Sequence, residues 1–129
     1  CLREVKVGLI PATIGPYVVR AIGQRASRRY FTTAELISAD KALTLGLVSE
    51  VVASDQLDEC IAGITKNLLR NGPRSVGEAK RLVLDVADGE IDAAMIADTS
   101  QRIAETRGSD EGREGLTAFL EKRKPAWIK

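Results

Sequence analysis

The chain has 129 residues, 44% of them apolar, with 19 lysines and arginines against 18 aspartates and glutamates and no histidine. This composition is typical of one modest folded domain, and the near-neutral charge argues against a dedicated nucleic-acid-binding protein. Because His is absent, Ser–His and Cys–His nucleophile pairs are excluded, and a zinc site would lack its usual ligands. A general acid or base in this chain therefore has to be a carboxylate, Lys, Tyr or Cys.

The sequence shows no targeting signal. No apolar run approaches the roughly twenty residues of a membrane span, and the first residues do not form a signal peptide. Two cysteines are too few for the disulfide framework of a small secreted domain, so we expect a reducing, cytoplasmic environment. The first residue is Cys1 and not Met, which indicates a truncated chain, a processed product or a proteolytic remnant.

The N-terminal segment carries the first candidate functional group, Glu4. Apolar residues alternate at Val5, Val7 and Leu9, which predicts a half-buried strand that ends before Pro11. A carboxylate beside such a run is partly desolvated, which suits it to proton transfer at neutral pH. The alternative is a charge that protects an edge strand from aggregation.

Short alternating elements are predicted up to residue 52. Pro16 starts a helix that Gly23 ends, another helix follows, and Ser38 caps a short helix that stops at Gly46. Residues 47–52 predict a buried strand. This pattern is typical of the last turns of a mixed α/β core.

Only helices are predicted beyond residue 53. Three apolar stripes indicate them: Leu57, Ile61, Ile64 and Leu68; Val76, Leu82, Val83 and Val86; and Ile91, Met95, Ile96 and Ile103. We therefore divide the chain into residues 1–53, the end of an α/β core, and residues 54–129, a helical domain. These helices have little sheet to cover, so we expect them to pack on another subunit or on a part of the protein outside this chain.

A last helix is predicted from a Ser109 cap to Pro125. Phe119 lies on its apolar face, one turn before the cations at residues 122–124. A flat ring beside fixed positive charge suits an adenine that carries phosphates. The plainer interpretation is an amphipathic surface helix with a solvated basic end.

These residues resemble the enoyl-CoA hydratase/isomerase (crotonase) superfamily. The resemblance rests on residues 4–12, 37–42 with 46–48, 79–80 and 109–127, which follow one another in the family's order. It implies the C-terminal half of a protomer, with an α/β fold in which the end of a ββα spiral core precedes a helical oligomerisation tail. It also implies a homo-oligomer, a trimer or hexamer, assembled with an N-terminal half that this chain lacks. Residues 12–18 resemble the branch that handles branched or carboxylated enoyl-CoAs, such as methylglutaconyl-CoA.

The resemblance implies a lyase of fatty acid or branched-chain amino acid metabolism that adds water across the 2,3 double bond of an acyl-CoA thioester. Glu4 matches one of the two hydratase glutamates and would protonate Cα. The other glutamate and the oxyanion-hole amides would lie upstream of Cys1, so we expect this chain alone to be inactive. Three residues match the segment that positions water and substrate: Pro11, Ala12 and Ile14. An Ala at position 12, where many hydratases have Gly, keeps the N–H but restricts the backbone.

Phe119 and Lys122 match the family positions that contact coenzyme A, which is part of the substrate. Arg123 is interpreted as a solvated cation, and Tyr17 and Trp127 as packing residues. We expect no other cofactor, no metal, no nucleic acid and no membrane partner. Two alternatives stay open: a non-catalytic assembly module, and an enoyl-CoA isomerase on the same scaffold.

Overall fold

A computed structural model describes all residues of the chain, 1–129. The chain divides into two compact units, Cys1–Leu57 and Asp58–Lys129. The helices are α1 (Gly15–Thr33), α2 (Ala39–Thr44), α3 (Leu57–Leu69), α4 (Pro73–Val86), α5 (Ala93–Gly108) and α6 (Asp110–Leu120). None of them combines the length and the apolar character that crossing a lipid bilayer requires.

Neither predicted strand forms. The first segment contains a 3-10 helix, Glu4–Val7, which ends at Gly8 in the left-handed conformation (φ 76°). Residues 47–52 are irregular and exposed. A strand has to share its backbone hydrogen bonds with a neighbouring strand, and the chain contains no second strand to pair with either segment. The predicted α/β character is therefore wrong for this chain, which is helical, and the ββα spiral stays a prediction.

The first unit has a small core centred on α1. Val18, Ile22 and Tyr30 are buried on α1, and partly buried side chains surround them: Leu2, Ala26, Phe31, Ile37 and Leu45. Gly23 interrupts α1 with a non-helical backbone (φ 73°, ψ 165°), which confirms the predicted break. The Ser38 side chain caps α2, also as predicted.

In the second unit, Glu111 on α6 caps the N terminus of α4. Its carboxylate accepts hydrogen bonds from the Arg74 N–H at 3.0 Å, the Ser75 N–H at 2.7 Å and the Ser75 hydroxyl at 2.7 Å. Desolvation by itself would raise the pKa of Glu111, but these hydrogen bonds favour the charged form and hold the pKa below its ordinary value. The positive end of the α4 dipole favours the same charge. The capping carboxylate thus fastens α4 to α6.

The apolar stripe of α3 is confirmed as a helical face, and this chain leaves it uncovered. Leu57, Ile61, Ile64 and Leu68 are each between 48% and 52% exposed. No residue of α3 is buried. Contiguous apolar surface of this kind is usually an interaction site.

A close approach between the end of α5 and the start of α6 depends on a glycine. The Ser109 hydroxyl donates to the Thr106 carbonyl at 2.7 Å and accepts the Gly112 N–H at 3.0 Å. A Cβ added at Gly112 would collide with the Thr106 carbonyl oxygen and would lie 3.0 Å from that of Arg107. Both neighbours are backbone atoms, so they cannot relieve the clash by changing rotamer as a flexible side chain could.

We predict that Gly112→Ala lowers the free energy of unfolding by about 1–3 kcal/mol, the usual cost of overpacking a tight site. The control is Gly77→Ala within α4, where an added Cβ meets no atom within 4 Å. That change should stabilise the helix by about 0.5–1 kcal/mol. Urea denaturation of the protein that contains this chain measures both, and equal midpoints for the two variants would contradict the prediction.

Candidate active site

Glu4 lies in the 3-10 helix at the start of the first unit. Its backbone carbonyl accepts the Leu9 N–H at 3.0 Å, and Gly8 turns the chain between them. The Oε2 atom of its side chain is buried and has no hydrogen-bond partner. A buried carboxylate oxygen in that condition is costly, and in native proteins it calls for an explanation such as a catalytic role. Glu4 is therefore the carboxylate of this chain that best fits a reaction centre.

The loop between Glu4 and α1 contains the three residues expected to position water and substrate. Pro11 is buried, and its carbonyl accepts the Gly15 N–H at 2.8 Å. Ile14 is the residue just before α1, and it is 46% exposed. Ala12 is exposed, and its N–H donates to the Ile10 carbonyl at 2.8 Å. In this conformation the Ala12 N–H is engaged within its own turn.

The other candidate residues lie where α6 ends. The helix stops at Leu120, before the predicted end, and Lys122 adopts the left-handed conformation (φ 55°). The Lys122 N–H donates to the Phe119 carbonyl at 3.2 Å, and the Arg123 N–H donates to the Ala118 carbonyl at 3.0 Å. These two hydrogen bonds close the helix in a Schellman-type turn. The prediction of a helix through residues 122–124 is wrong, because a left-handed residue ends a right-handed helix.

Arg123 is exposed, with 41% of its side chain accessible, but it is also paired with carboxylates. Its guanidinium donates two hydrogen bonds, of 2.6 Å and 2.9 Å, to the Glu114 carboxylate. It donates a third, of 2.7 Å, to the Glu121 carboxylate. Glu114 also accepts the Ala126 N–H at 2.8 Å. Periodicity could not predict this pairing, because Arg123 lies nine positions after Glu114 and the chain reverses between them.

The same contacts set the charge of Glu114. Its hydrogen bonds to Arg123, and then to the Ala126 N–H, lower the pKa of Glu114 to about 2. Because the folded-state pKa is lower than the ordinary value of 4.5, the interaction stabilises the fold above pH 4.5. This contribution is lost as the pH falls through about 2.

Trp127 holds the last residues against the helical unit. Its indole N–H donates to the Arg70 carbonyl at 3.2 Å, and a Cβ added at Gly115 would lie 3.0 Å from its ring. The interpretation of Trp127 as a packing residue is confirmed. Tyr17 is 72% exposed, so the same interpretation is wrong for it within this chain.

Phe119 and Lys122 form an exposed pair at the end of α6. Phe119 is 79% exposed, and Lys122 is exposed beside it in sequence and in the turn. An uncovered aromatic ring and an exposed cation three residues later suit a flat, anionic ligand. The sequence-predicted residues thus form two groups: Glu4 and its loop in the first unit, and the Phe119–Lys122 pair in the second.

The family comparison supplies the identity of the chain. Residues 1–129 match the family described as Enoyl-CoA hydratase/isomerase. The chain therefore belongs to the enoyl-CoA hydratase/isomerase family, as its sequence predicted. Members of this family act on acyl-CoA substrates.

Individual relatives are similar along nearly the whole chain. The human protein named Enoyl-CoA hydratase domain-containing protein 3, mitochondrial, is 33% identical over 123 residues, which are 95% of this chain and 40% of the relative. The Short-chain-enoyl-CoA hydratase of Clostridium acetobutylicum is 31% identical over 122 residues, 94% of this chain and 46% of the relative. The crystal structure of an enoyl-CoA hydratase from Shewanella pealeana has a TM-score of 0.92 and 50% identity, over 98% of this chain and 47% of that one.

The chain spans less than half the length of each of these three proteins. It therefore has part of the fold that the family shares.

Proposed function

We propose that this chain supplies the proton-transferring carboxylate and the coenzyme A contacts of a 2-enoyl-CoA hydratase. The observation that carries the proposal is the buried, unpartnered Oε2 of Glu4 in a member of this family. Hydration of an enoyl thioester needs a positioned proton donor, and a carboxyl group can serve as one. A second carboxylate and the oxyanion-hole amides would come from residues outside this chain.

In this mechanism water adds to C3 of the enoyl thioester while the second carboxylate accepts the proton that the water loses. The electron pair of the double bond moves toward the thioester oxygen, where backbone N–H groups stabilise the enolate. Glu4 then transfers its proton to Cα, which completes hydration and leaves Glu4 ionised. In the reverse direction Glu4 acts as the base.

The loop before α1 supports this role. The burial of Pro11 and its hydrogen bond from Gly15 fix the loop beside the start of α1. Ile14 offers partly exposed apolar surface on which an acyl chain would lie. The Ala12 N–H would hold the water after it releases the Ile10 carbonyl. We assign a branched or carboxylated acyl group, such as methylglutaconyl, from the sequence resemblance of residues 12–18.

Phe119 and Lys122 would bind the coenzyme A part of the substrate. The Phe119 ring would stack on the adenine, and the Lys122 ammonium group would contact a phosphate. The conformation of Lys122 supports this assignment. A left-handed backbone costs a residue other than glycine about 1–2 kcal/mol. Such strain clusters at functional sites, which favours a use for the charge of Lys122. Ala34, just after α1, also has a positive φ (51°).

The prediction for the proton donor concerns Glu4→Gln, which keeps the shape of the side chain but removes its proton transfer. We expect turnover of crotonyl-CoA by the protein that contains this chain to fall by about two to four powers of ten, the range for a positioned acid or base. The control is Glu90→Gln, at an exposed position between α4 and α5. Near-normal turnover by folded Glu4→Gln protein would exclude Glu4 as the proton donor.

A further prediction concerns the binding of the coenzyme A part of the substrate. The double variant Phe119→Ala with Lys122→Ala should raise KM for crotonyl-CoA more than it lowers kcat, because contacts far from the reacting carbons bind ground and transition states alike. Calorimetry with coenzyme A should show the same loss of affinity. The matched control is Lys66→Ala with Leu69→Ala, which removes an exposed cation and an exposed apolar side chain three residues apart near the end of α3. Equal affinity of the two double variants for coenzyme A would show that the end of α6 does not bind it.

An assembly function is the second candidate, and the uncovered stripe of α3 favours it. We propose that residues 54–129 form a subunit-packing domain in a trimer or hexamer, and that α3 lies in the contact. The cytoplasmic location stays a prediction, and the human relative is named as mitochondrial.

For this assembly role, Ile64→Glu should shift the protein to smaller species in light scattering, because it places a charge in the apolar stripe. Lys66→Glu introduces the same side chain on the opposite face of α3 and should leave the mass unchanged. An unchanged mass for Ile64→Glu would exclude the α3 stripe from the subunit contact.

A further inference from the structure

The left-handed residue after α6 is one of three in similar turns of this chain. In each turn one N–H donates to the carbonyl five residues back, and the N–H before it donates to the carbonyl three residues back. The five-residue hydrogen bonds are Leu9 to Glu4, Leu47 to Ala42 and Arg123 to Ala118. The three-residue hydrogen bonds are Gly8 to Val5, Gly46 to Leu43 and Lys122 to Phe119. The left-handed residues of these three turns are Gly8, Gly46 and Lys122, and Ala34 after α1 is left-handed in a turn of another kind. Two of the turns therefore use the residue that takes this conformation without steric cost. The third must be held in place by other contacts.

Those contacts come from Glu114. Its two oxygens bind the fork of Arg123, the residue directly after Lys122, at 2.6 Å and 2.9 Å. One of them also binds the Ala126 N–H at 2.8 Å, so the chain is held just after Lys122 and again three residues later. The Glu114 side chain is 28% exposed and that of Arg123 is 41% exposed, which shields the pair partly from water.

The pair also controls charge around Lys122. Arg123 neutralises Glu114, and this leaves the Lys122 ammonium group available to a ligand instead of to the neighbouring carboxylate. If Arg123 were released, the turn would lose the contact that holds its left-handed residue, and Glu114 would compete for the lysine. Both effects would change where Lys122 holds its ammonium group.

The geometry points to Glu114 as the positioning residue for Lys122: through Arg123 it holds the left-handed turn that presents the ammonium group to a phosphate of coenzyme A. This inference rests on the proposed coenzyme A contact of Lys122. Glu114 itself touches no substrate in this arrangement. Its influence is therefore confined to substrates that carry the phosphates.

The test compares Glu114→Gln with Asp110→Asn in the protein that contains this chain. Both changes remove one negative charge from α6, and Asp110 pairs with Arg113 at 2.8 Å, away from the turn. Two substrates are used: crotonyl-CoA, and crotonyl N-acetylcysteamine, a truncated thioester without the nucleotide. Arg123→Lys is the second variant, because lysine keeps the charge but cannot make the two-pronged contact.

We expect Glu114→Gln and Arg123→Lys to raise KM for crotonyl-CoA by about three- to fivefold, the size of one exposed charge contact. The kcat values, and the kinetics with the truncated thioester, should match those of Asp110→Asn. In a Lys122→Ala background Glu114→Gln should have no further effect on KM, because the group that it positions is gone.

An equal KM change for both substrates, an additive effect in the Lys122→Ala background, or unchanged kinetics in both variants would overturn the positioning role. These outcomes are separable from failure of the coenzyme A contact. If Lys122→Ala itself leaves KM for crotonyl-CoA unchanged, the proposed contact is wrong. If Lys122→Ala raises KM while Glu114→Gln and Arg123→Lys do not, only the positioning role is wrong.

Discussion

Two carboxylates on α6, those of Glu111 and Glu114, organise the second unit. Apart from Gly72 and Ala118, no residue of this unit is buried, so a hydrophobic core does not define its arrangement. Glu111 instead binds the first N–H groups of α4, and Glu114 binds Arg123 and the C-terminal backbone. Hydrogen bonds to a charged group are shorter and roughly twice as strong as neutral ones. One helix therefore sets both the start of α4 and the path of the chain after Leu120.

The first unit leaves polar groups that its own residues do not satisfy. Glu4 Oε2 and Ser27 Oγ are both buried without a hydrogen-bond partner, in a unit whose buried cluster has three members on α1. An unsatisfied buried group costs about 1–3 kcal/mol. For Ser27 a group from outside the chain would relieve that cost, and for Glu4 the oxygen is the one that we propose meets the substrate.

Features that depend on neighbouring residues could be predicted well. Ser38 and Ser109 cap their helices because a hydroxyl reaches an N–H three residues later, and Gly23 breaks α1 because it tolerates a positive φ. The segments at residues 4–9 and 47–52 could not be predicted in the same way. Their alternating or apolar pattern is compatible with a strand, but a strand forms only where another strand accepts and donates its hydrogen bonds.

The sequence by itself determined the family, through the N-terminal segment that contains Glu4 and the terminal block that contains Phe119 and Lys122. It also determined where α1, α2 and α6 begin. The tertiary structure alone decided that one oxygen of Glu4 is buried, that Lys122 is left-handed and that Arg123 pairs with Glu114. Helical periodicity assigns side chains to faces of a continuing helix, so it predicted a solvated Arg123. The observed pairing arises because Glu114 accepts hydrogen bonds from a chain that has already turned back, a contact that no local spacing encodes.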